Sequence, residues 1–236
     1  AIGRYALGVI TDGDNNVAVG ANAGDAVTTG SNNIAVGNEA LSAITTNSSQ
    51  VAIGRSALME LTSGTENTAI GYQAGKFNET GAYNVYVGYD CGIGVDGQNN
   101  SRNTAVGNRA LVAVTSGGAN SIIGFSAGRA LTTGSNNVAI GASGASISAA
   151  LRNSTDVDNV VAIGQGAMVA DATSNADGTV AIGYQALTAL TSGAENTAIG
   201  ELALKTLTTG SQNIALGTKA LQEHLTGVRN VAIGAY

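Results

Sequence analysis

Small and apolar residues recur along this chain in a fixed order, and the order repeats at the interval that separates Gly3 from Gly20. The unit is clearest in residues 51–75, where Val51-Ala52-Ile53-Gly54 is followed by Thr68-Ala69-Ile70-Gly71. Successive motif glycines are seventeen positions apart in ten of thirteen intervals, nineteen apart in two and twenty-three apart in one: Gly3, Gly20, Gly37, Gly54, Gly71, Gly88, Gly107, Gly124, Gly141, Gly164, Gly183, Gly200, Gly217 and Gly234. Such regular repetition from the first residue to the last predicts a solenoid.

The residues before each motif glycine alternate with a period of two. The residue immediately before it is Ile, Val or Leu in all fourteen copies, and the residue three before it is mostly β-branched. The residue between them is Ala in twelve copies, the exceptions being Tyr86 and Ile122. This alternation predicts a short strand with branched side chains on one face and only Ala and Gly on the other.

A second apolar segment follows each motif glycine. Ala stands three residues after it in eleven of thirteen copies, often with Leu next, and an aliphatic residue usually stands seven after it. We interpret this segment as a second short strand, because about ten residues between turns cannot hold a stable helix. Ten residues after the glycine, Gly exchanges with Asn47, which indicates a turn with left-handed backbone angles.

Asparagine occupies the position four before the motif glycine in most copies. In stacked coils these side chains would lie one strand spacing apart, about 4.8 Å, and bond to each other as an amide ladder. We therefore interpret them as structural, not as a glycan or cation site. The predicted ladder is Asn16, Asn33, Asn67, Asn84, Asn103, Asn120, Asn137, Asn196, Asn213 and Asn230.

The pattern predicts an all-β fold, a parallel β-roll or β-solenoid of about 14 coils in which two thin sheets face each other about 10 Å apart. With the branched residues inside, the Ala face points outward, where small side chains permit close approach of another chain. We therefore expect self-association through Ala18, Ala35, Ala52, Ala69, Ala105, Ala139, Ala162, Ala181, Ala198, Ala215 and Ala232. The opposite assignment, Ala inside and Val/Ile at the contact, remains open. On the first assignment Ala69→Leu should disturb assembly more than Thr65→Leu.

The motif resembles known repeats. The run from Asn67 to Ala74, Asn-Thr-Ala-Ile-Gly-Tyr-Gln-Ala, and its relatives at 137–141 and 230–234 resemble the YadA-like head repeats of trimeric autotransporter adhesins. The spacing and the Thr-Thr-Gly-Ser-Asn-Asn turn also resemble repeat arrays in phage and bacterial tail-fibre-domain proteins. The resemblance covers essentially the whole chain. It implies a left-handed β-roll assembled as a homotrimer, extracellular or on a virion, that serves as a fibre or adhesin shaft.

Composition narrows the function further. The net charge is −6 and the ten Lys and Arg are scattered, so the basic stripe of a nucleic-acid-binding protein is missing from the sequence. Gly and polar residues interrupt every apolar run well before the length of a membrane span, and the single Cys91 offers neither a disulfide nor a metal pair. We expect one repeat domain over residues 1–236, part of a longer fibre protein, because the chain begins and ends inside a motif copy.

The candidates for chemistry are few. Three insertions, near residues 92–101, 143–158 and 169–178, should form surface loops. The one aromatic concentration suggests a surface patch that could bind sugars, formed by Tyr72, Phe77, Tyr83 and Tyr89. Neither His224 nor Cys91 has partners for catalysis or metal binding in the sequence, and we expect no cofactor and no enzyme activity.

The sequence therefore favours a structural or adhesive fibre segment that associates with itself and attaches to a cell-surface glycan or protein receptor. Two alternatives remain open. A polysaccharide-degrading, tailspike-type enzyme would need clustered carboxylates in a groove. An ice-binding solenoid would need a flat array formed by the Thr-Thr steps at 28–29, 45–46, 132–133 and 208–209.

Overall fold

Each motif copy after the first folds into a strand of three residues that ends just before the motif glycine. The computed structural model describes residues 1–235, and in that range the chain is an all-β parallel solenoid with thirteen strands. It divides into two units, Ala1–Ser116 and a second that begins at Gly117. The first contains β1 Val17–Val19, β2 Ile34–Val36, β3 Val51–Ile53, β4 Thr68–Ile70, β5 Val85–Val87 and β6 Thr104–Val106. The second contains β7 Ser121–Ile123, β8 Val138–Ile140, β9 Val161–Ile163, a 3-10 helix Ser174–Ala176, β10 Val180–Ile182, β11 Thr197–Ile199, β12 Ile214–Leu216 and β13 Val231–Ile233.

Within each unit, every strand pairs in parallel with the next one along the chain. The register places equivalent residues opposite each other, so that Ala52 pairs with Ala69. Before β1, Ile2 forms a further parallel bridge to Val19 and supplies the rung of the first motif copy. The predicted solenoid is therefore confirmed, and one repeat of the sequence makes one coil.

The second apolar segment is not a strand, and the prediction of two facing sheets was wrong. After the motif glycine the chain enters a series of turns in which Ser56 and Leu58 have left-handed φ angles of 55° and 48°. Its amides still bond from coil to coil: the Leu58 N–H donates to the Ala74 carbonyl at 3.0 Å. Left-handed residues bend the backbone out of the extended conformation, so each coil closes with a single strand.

The central alanine of each strand points into the coil, which overturns the predicted Ala contact between chains. Ala18, Ala35, Ala52, Ala69, Ala105, Ala139, Ala162, Ala181, Ala198 and Ala215 are buried within their own units, and Ala232 is half-buried. Leu58 and Leu61 are buried with them. The coil interior is narrow, so Leu from the turn segment leaves room for only a methyl group from the strand.

Close packing between coils also accounts for two glycine positions. A Cβ on the motif glycine Gly54, whose φ is +133°, would overlap the carbonyl of Gly71 in the next coil. The glycine ten residues later was expected to be left-handed, but Gly30 and Gly64 are not among the residues with positive φ. At Gly30 and Gly64 a Cβ would overlap the carbonyl of the following coil instead, whereas Gly193 in the same column does have a positive φ, of 113°.

The burial of Ala69 changes what its substitution tests. Because Ala69 is fully buried, Ala69→Leu adds volume inside the coil and should lower the free energy of unfolding by about 1–3 kcal/mol. Thr65→Leu, at a half-buried position in the turn before β4, should change it by less than about 0.5 kcal/mol. Chemical denaturation followed by circular dichroism compares the two. Equal stabilities would mean that the interior accommodates a larger side chain at this position.

Candidate functional site

The first and third residues of each strand point away from the core and form an apolar outer face. We call the third residues the aliphatic column; in the first unit they are Val19, Val36, Ile53, Ile70, Val87 and Val106, and in the second Ile123, Ile140, Ile163, Ile182, Ile199, Leu216 and Ile233. Ile53, Ile70 and Val106 are 37–39% exposed, although a like neighbour flanks each of them in the sheet. In the first unit the column spans five strand spacings, about 24 Å.

The two outward positions of a strand differ in chemistry. The third is aliphatic in every strand, whereas the first admits Thr68 and Thr104 in the first unit and Ser121 and Thr197 in the second. A solvent-facing strand normally carries polar residues on its outer side. An uninterrupted aliphatic column is instead typical of a surface that another molecule covers. Sequence reasoning placed the contact on the Ala column, although the residue before each motif glycine is aliphatic in all fourteen copies.

The asparagines form buried ladders on the inner side of the turn before each strand. Asn67 donates from Nδ2 to the Gly81 carbonyl at 2.9 Å, and its Oδ1 accepts both the backbone N–H and the side-chain N–H of Asn84 at 3.0 Å. Gln50 takes the same role in its coil, because its Oε1 accepts the Asn67 N–H at 3.1 Å. These amides satisfy backbone groups that would otherwise be buried without partners. Their polar atoms are used within the fold.

The ladder of the second unit is interrupted at the coil after Asn137. Val160 stands in the column and donates its backbone N–H to Asn137 Oδ1 at 2.9 Å, but it offers no side-chain acceptor to the next coil. Thr179 follows, and its buried hydroxyl oxygen has no hydrogen-bond partner. The ladder resumes at Asn196, whose Oδ1 accepts the Asn213 N–H at 3.0 Å.

Tyr86 fills the interior of its own coil. It occupies an inward alanine position and is fully buried. Four residues after the motif glycine, where many coils have leucine, the two coils around Tyr86 have Gly75 and Gly92, and the Tyr86 ring fills the space that these leucines would take. A Cβ on Gly75 would lie 2.8 Å from the ring, and a Cβ on Gly92 would overlap it. Its hydroxyl donates to the Asn100 side-chain oxygen. The second unit repeats the exchange, with a Cβ on Gly128 only 3.3 Å from Ile122.

The proposed aromatic patch is only partly assembled. Tyr72 and Tyr89 follow β4 and β5 and stack with ring centroids 5.0 Å apart and an interplanar angle of 13°. Phe77 lies in the turn segment with Lys76 Nζ 4.4 Å from its ring centroid, and Tyr83 is exposed in the turn before β5. No ring contact joins Phe77 or Tyr83 to the stacked pair among residues 1–235.

Cys91 and His224 each have a structural partner within the fold. The buried Cys91 thiol donates to the Ala105 carbonyl at 3.2 Å, and burial raises its pKa from 9.0 to about 12. At neutral pH it is therefore a thiol, not a nucleophilic thiolate. His224 Nε2 lies 3.0 Å from Asn230 Nδ2. Across the described part of the chain no group of three or more His, Cys, Asp and Glu residues could hold a metal ion.

The raised pKa of Cys91 predicts a pH-dependent stability. The thiol of the unfolded chain ionises near 9.0, whereas in the folded chain it ionises at about 12, so its contribution is complete below pH 9 and is lost as pH rises toward 12. Between pH 8 and pH 10 this should cost about 1 kcal/mol. In denaturation curves, the free energy of unfolding of the wild type should therefore fall by about 1 kcal/mol relative to that of Cys91→Ala, which restores the usual alanine, between pH 8 and pH 10. A difference that is constant with pH would contradict the assignment.

The remaining polar features are structural. Burial raises the pKa of the Asp90 carboxyl, and Arg109, 3.7 Å away, opposes the shift. Several threonines eight residues after the motif glycine donate their hydroxyl protons to the next coil, as Thr28 does to the Thr45 carbonyl at 3.2 Å. This bond occupies the hydroxyl of the first threonine, whereas the second threonine of each Thr-Thr step, Thr29, Thr46, Thr133 and Thr209, is exposed. Residues 1–235 contain no helix with the length and apolar character required to cross a membrane.

Comparison with known proteins adds no functional assignment. Family models, curated protein sequences and solved structures were each compared with this chain, and none matches it.

Proposed function

We propose that this chain is a structural and adhesive fibre segment that assembles as a homotrimer through the aliphatic column. The observation that supports the proposal most directly is that the outward position before the motif glycine carries Val, Ile or Leu in every strand of both units. Burying such side chains contributes about 25 cal/mol per Å² of apolar surface removed from water. A second copy presents the same column with the same rung spacing, so it is a matched partner along the whole length of a unit.

The width of the column favours contact around an axis. It is one side chain wide, flanked on one side by the mixed polar and apolar first residues of the strands and on the other by the motif glycines. Three chains that each contribute one aliphatic residue per rung can close a narrow apolar seam. The number three follows from the resemblance to trimeric adhesin heads and tail-fibre repeats, which also supports an extracellular place, on a virion or a bacterial surface, and a role in attachment to a cell-surface glycan or protein receptor.

The mass of the protein in solution tests the assembly. Light scattering should give three times the chain mass of 23.2 kDa, and this value should be unchanged on dilution through the micromolar range. A stable monomer at 23.2 kDa would overturn the proposal, because the aliphatic column would then face water. A dimer would retain the column as a contact but contradict the threefold seam.

A further inference from the structure

The longest insertion of the chain forms one wall of a surface cavity. In regular coils the alanine three after the motif glycine donates its N–H back to that glycine, as Ala74 does to Gly71 at 3.3 Å. In the coil after β8 the same bond, at 3.1 Å, joins Ala150 to Gly141, so eight residues replace two. The loop is therefore pinned at its base by the bond that closes every other coil.

The cavity has a volume of about 350 Å³ and is lined by Phe125, Arg152 and residues 143–148 of the loop. This size is at the small end of the range for ligand sites. The Phe125 ring is 49% exposed, and the position next to it in the following coil is Ala142, which leaves the side of the ring open. The site thus combines one exposed aromatic face with a polar wall.

The polar wall is rich in hydrogen-bond donors. Arg152 donates from Nη1 to Ser148 Oγ at 3.2 Å, but its buried Nε–H has no hydrogen-bond partner. Ser143 Oγ accepts the Ala149 N–H at 3.0 Å. Both serine oxygens are thus acceptors in these bonds, which leaves their hydroxyl protons to donate. The Nε atom is itself screened from solvent, so a ligand in the cavity meets the terminal guanidinium nitrogens of Arg152, which pair best with an anionic oxygen.

We propose that this cavity binds a carboxylated sugar, such as a sialic or uronic acid residue of a glycan. The apolar face of a pyranose ring packs against Phe125, the carboxylate accepts from the Arg152 guanidinium, and sugar oxygens accept from Ser143 and Ser148. The proposal deepens the adhesive part of the proposed function and rests on it only for its biological role. An acidic peptide would satisfy the arginine but would not use the stacking face, so the glycan is favoured.

Arg129 supplies a matched control. In this segment an N–H that bonds to the next coil donates to the carbonyl one position earlier there, as Leu58 does to Ala74. The Ala130 N–H donates to the Arg152 carbonyl at 2.9 Å, so the residue before Ala130, Arg129, is the equivalent of Arg152 in the preceding coil. Arg129 is exposed and does not line the cavity. Arg129→Gln and Arg152→Gln therefore remove the same charge from neighbouring rungs, but only the second changes the site.

The chain contains no tryptophan, so Phe125→Trp introduces a single tryptophan, which can be excited selectively over the tyrosines, at the exposed stacking face. Titration of this variant with 3′-sialyllactose and with tri-galacturonic acid distinguishes the two sources of carboxylated sugar, and lactose and a glutamate-rich peptide are the controls. We expect saturable fluorescence changes with at least one acidic sugar at a concentration about tenfold or more below that needed for lactose. In the Phe125→Trp background, Arg152→Gln should weaken binding about tenfold or more, and Arg129→Gln should leave it unchanged.

Several results would overturn the site: no saturable change with either acidic sugar, equal affinity for lactose, an equal response to the peptide, or equal losses from Arg129→Gln and Arg152→Gln. If Arg152→Gln unfolds the protein, Arg152→Lys keeps the charge but loses the planar fork and should still weaken binding. Light scattering on the same samples separates the two proposals. A trimer that does not bind the sugar would contradict only the proposed sugar site, and a monomer that binds the sugar would contradict only the proposed trimeric fibre.

Discussion

Tyr86→Ala is expected to lower the free energy of unfolding by about 3–5 kcal/mol, although alanine is the usual residue at this position of the strand. The reason lies in the two glycines that contact the ring. Gly75 and Gly92 have no side chain where Leu58 fills the equivalent space of its own coil, so removal of the ring leaves a void that no neighbour occupies. The substitution also removes the hydroxyl that donates to Asn100, whose side-chain nitrogen already lacks a partner.

The same packing predicts that Gly92→Leu destabilises the wild type but stabilises the Tyr86→Ala variant. Gly92→Leu alone should be strongly destabilising, because a Cβ at this position overlaps the Tyr86 ring. In the Tyr86→Ala background the same leucine should restore at least about 1 kcal/mol, since it fills the vacated volume. The left-handed φ of 54° at Gly92 is no obstacle, because Leu58 and Leu111 have φ angles of 48° and 51° at the equivalent positions.

Chemical denaturation of the wild type, the two single variants and the double variant at one protein concentration gives the coupling energy. Ala69→Leu serves as the comparison in which volume is added without an opposing glycine. Further destabilisation of Tyr86→Ala by Gly92→Leu would show that the glycines are there for backbone reasons and that the exchange of large and small residues has no energetic basis.

The length of the repeat and the position of its strand could be predicted, because the spacing of the motif glycines gives the first and the alternation before each glycine gives the second. The faces of that strand could not. Val51-Ala52-Ile53 alternates in the same way whether its alanine or its branched residues point inward, and the choice depends on how wide the coil is. The width is set by the turn segment, where Ser56 and Leu58 adopt left-handed angles that residue preference alone does not indicate.

Some of the candidate sites could likewise be predicted from the sequence, and others could not. The asparagine column could be predicted as a ladder because one position repeated through many coils must stack with itself. Tyr86 was visible as an exception to the alanine column, but its role depends on Gly75 and Gly92, which belong to a different column. The cavity beside Phe125 joins a side chain to an insertion in the following coil, and only the backbone register reveals that contact.

Ile53→Lys/Ile70→Lys is expected to convert the assembly to monomers. The two residues are neighbours in the aliphatic column, paired directly between β3 and β4, and each is nearly two-fifths exposed in the single chain. In a trimer the double substitution would bring six ammonium groups together in an apolar seam without counter-charges, and burial of unpaired charge costs several kcal/mol for each group. In the monomer the same lysines would lie in water on an outer face, so the coil itself should still fold.

Thr46→Lys/Ser63→Lys is the matched control, because these exposed residues lie in the turns of neighbouring coils and carry the same added charge. Light scattering should give three times the chain mass for this control and the single-chain mass of 23.2 kDa for the column variant, with equal circular dichroism spectra. The outcome depends on whether the aliphatic column is the contact, because a contact made elsewhere would leave both variants trimeric. A column variant that remains a trimer would show that the chains meet elsewhere, whereas a control that also dissociates would assign the effect to net charge.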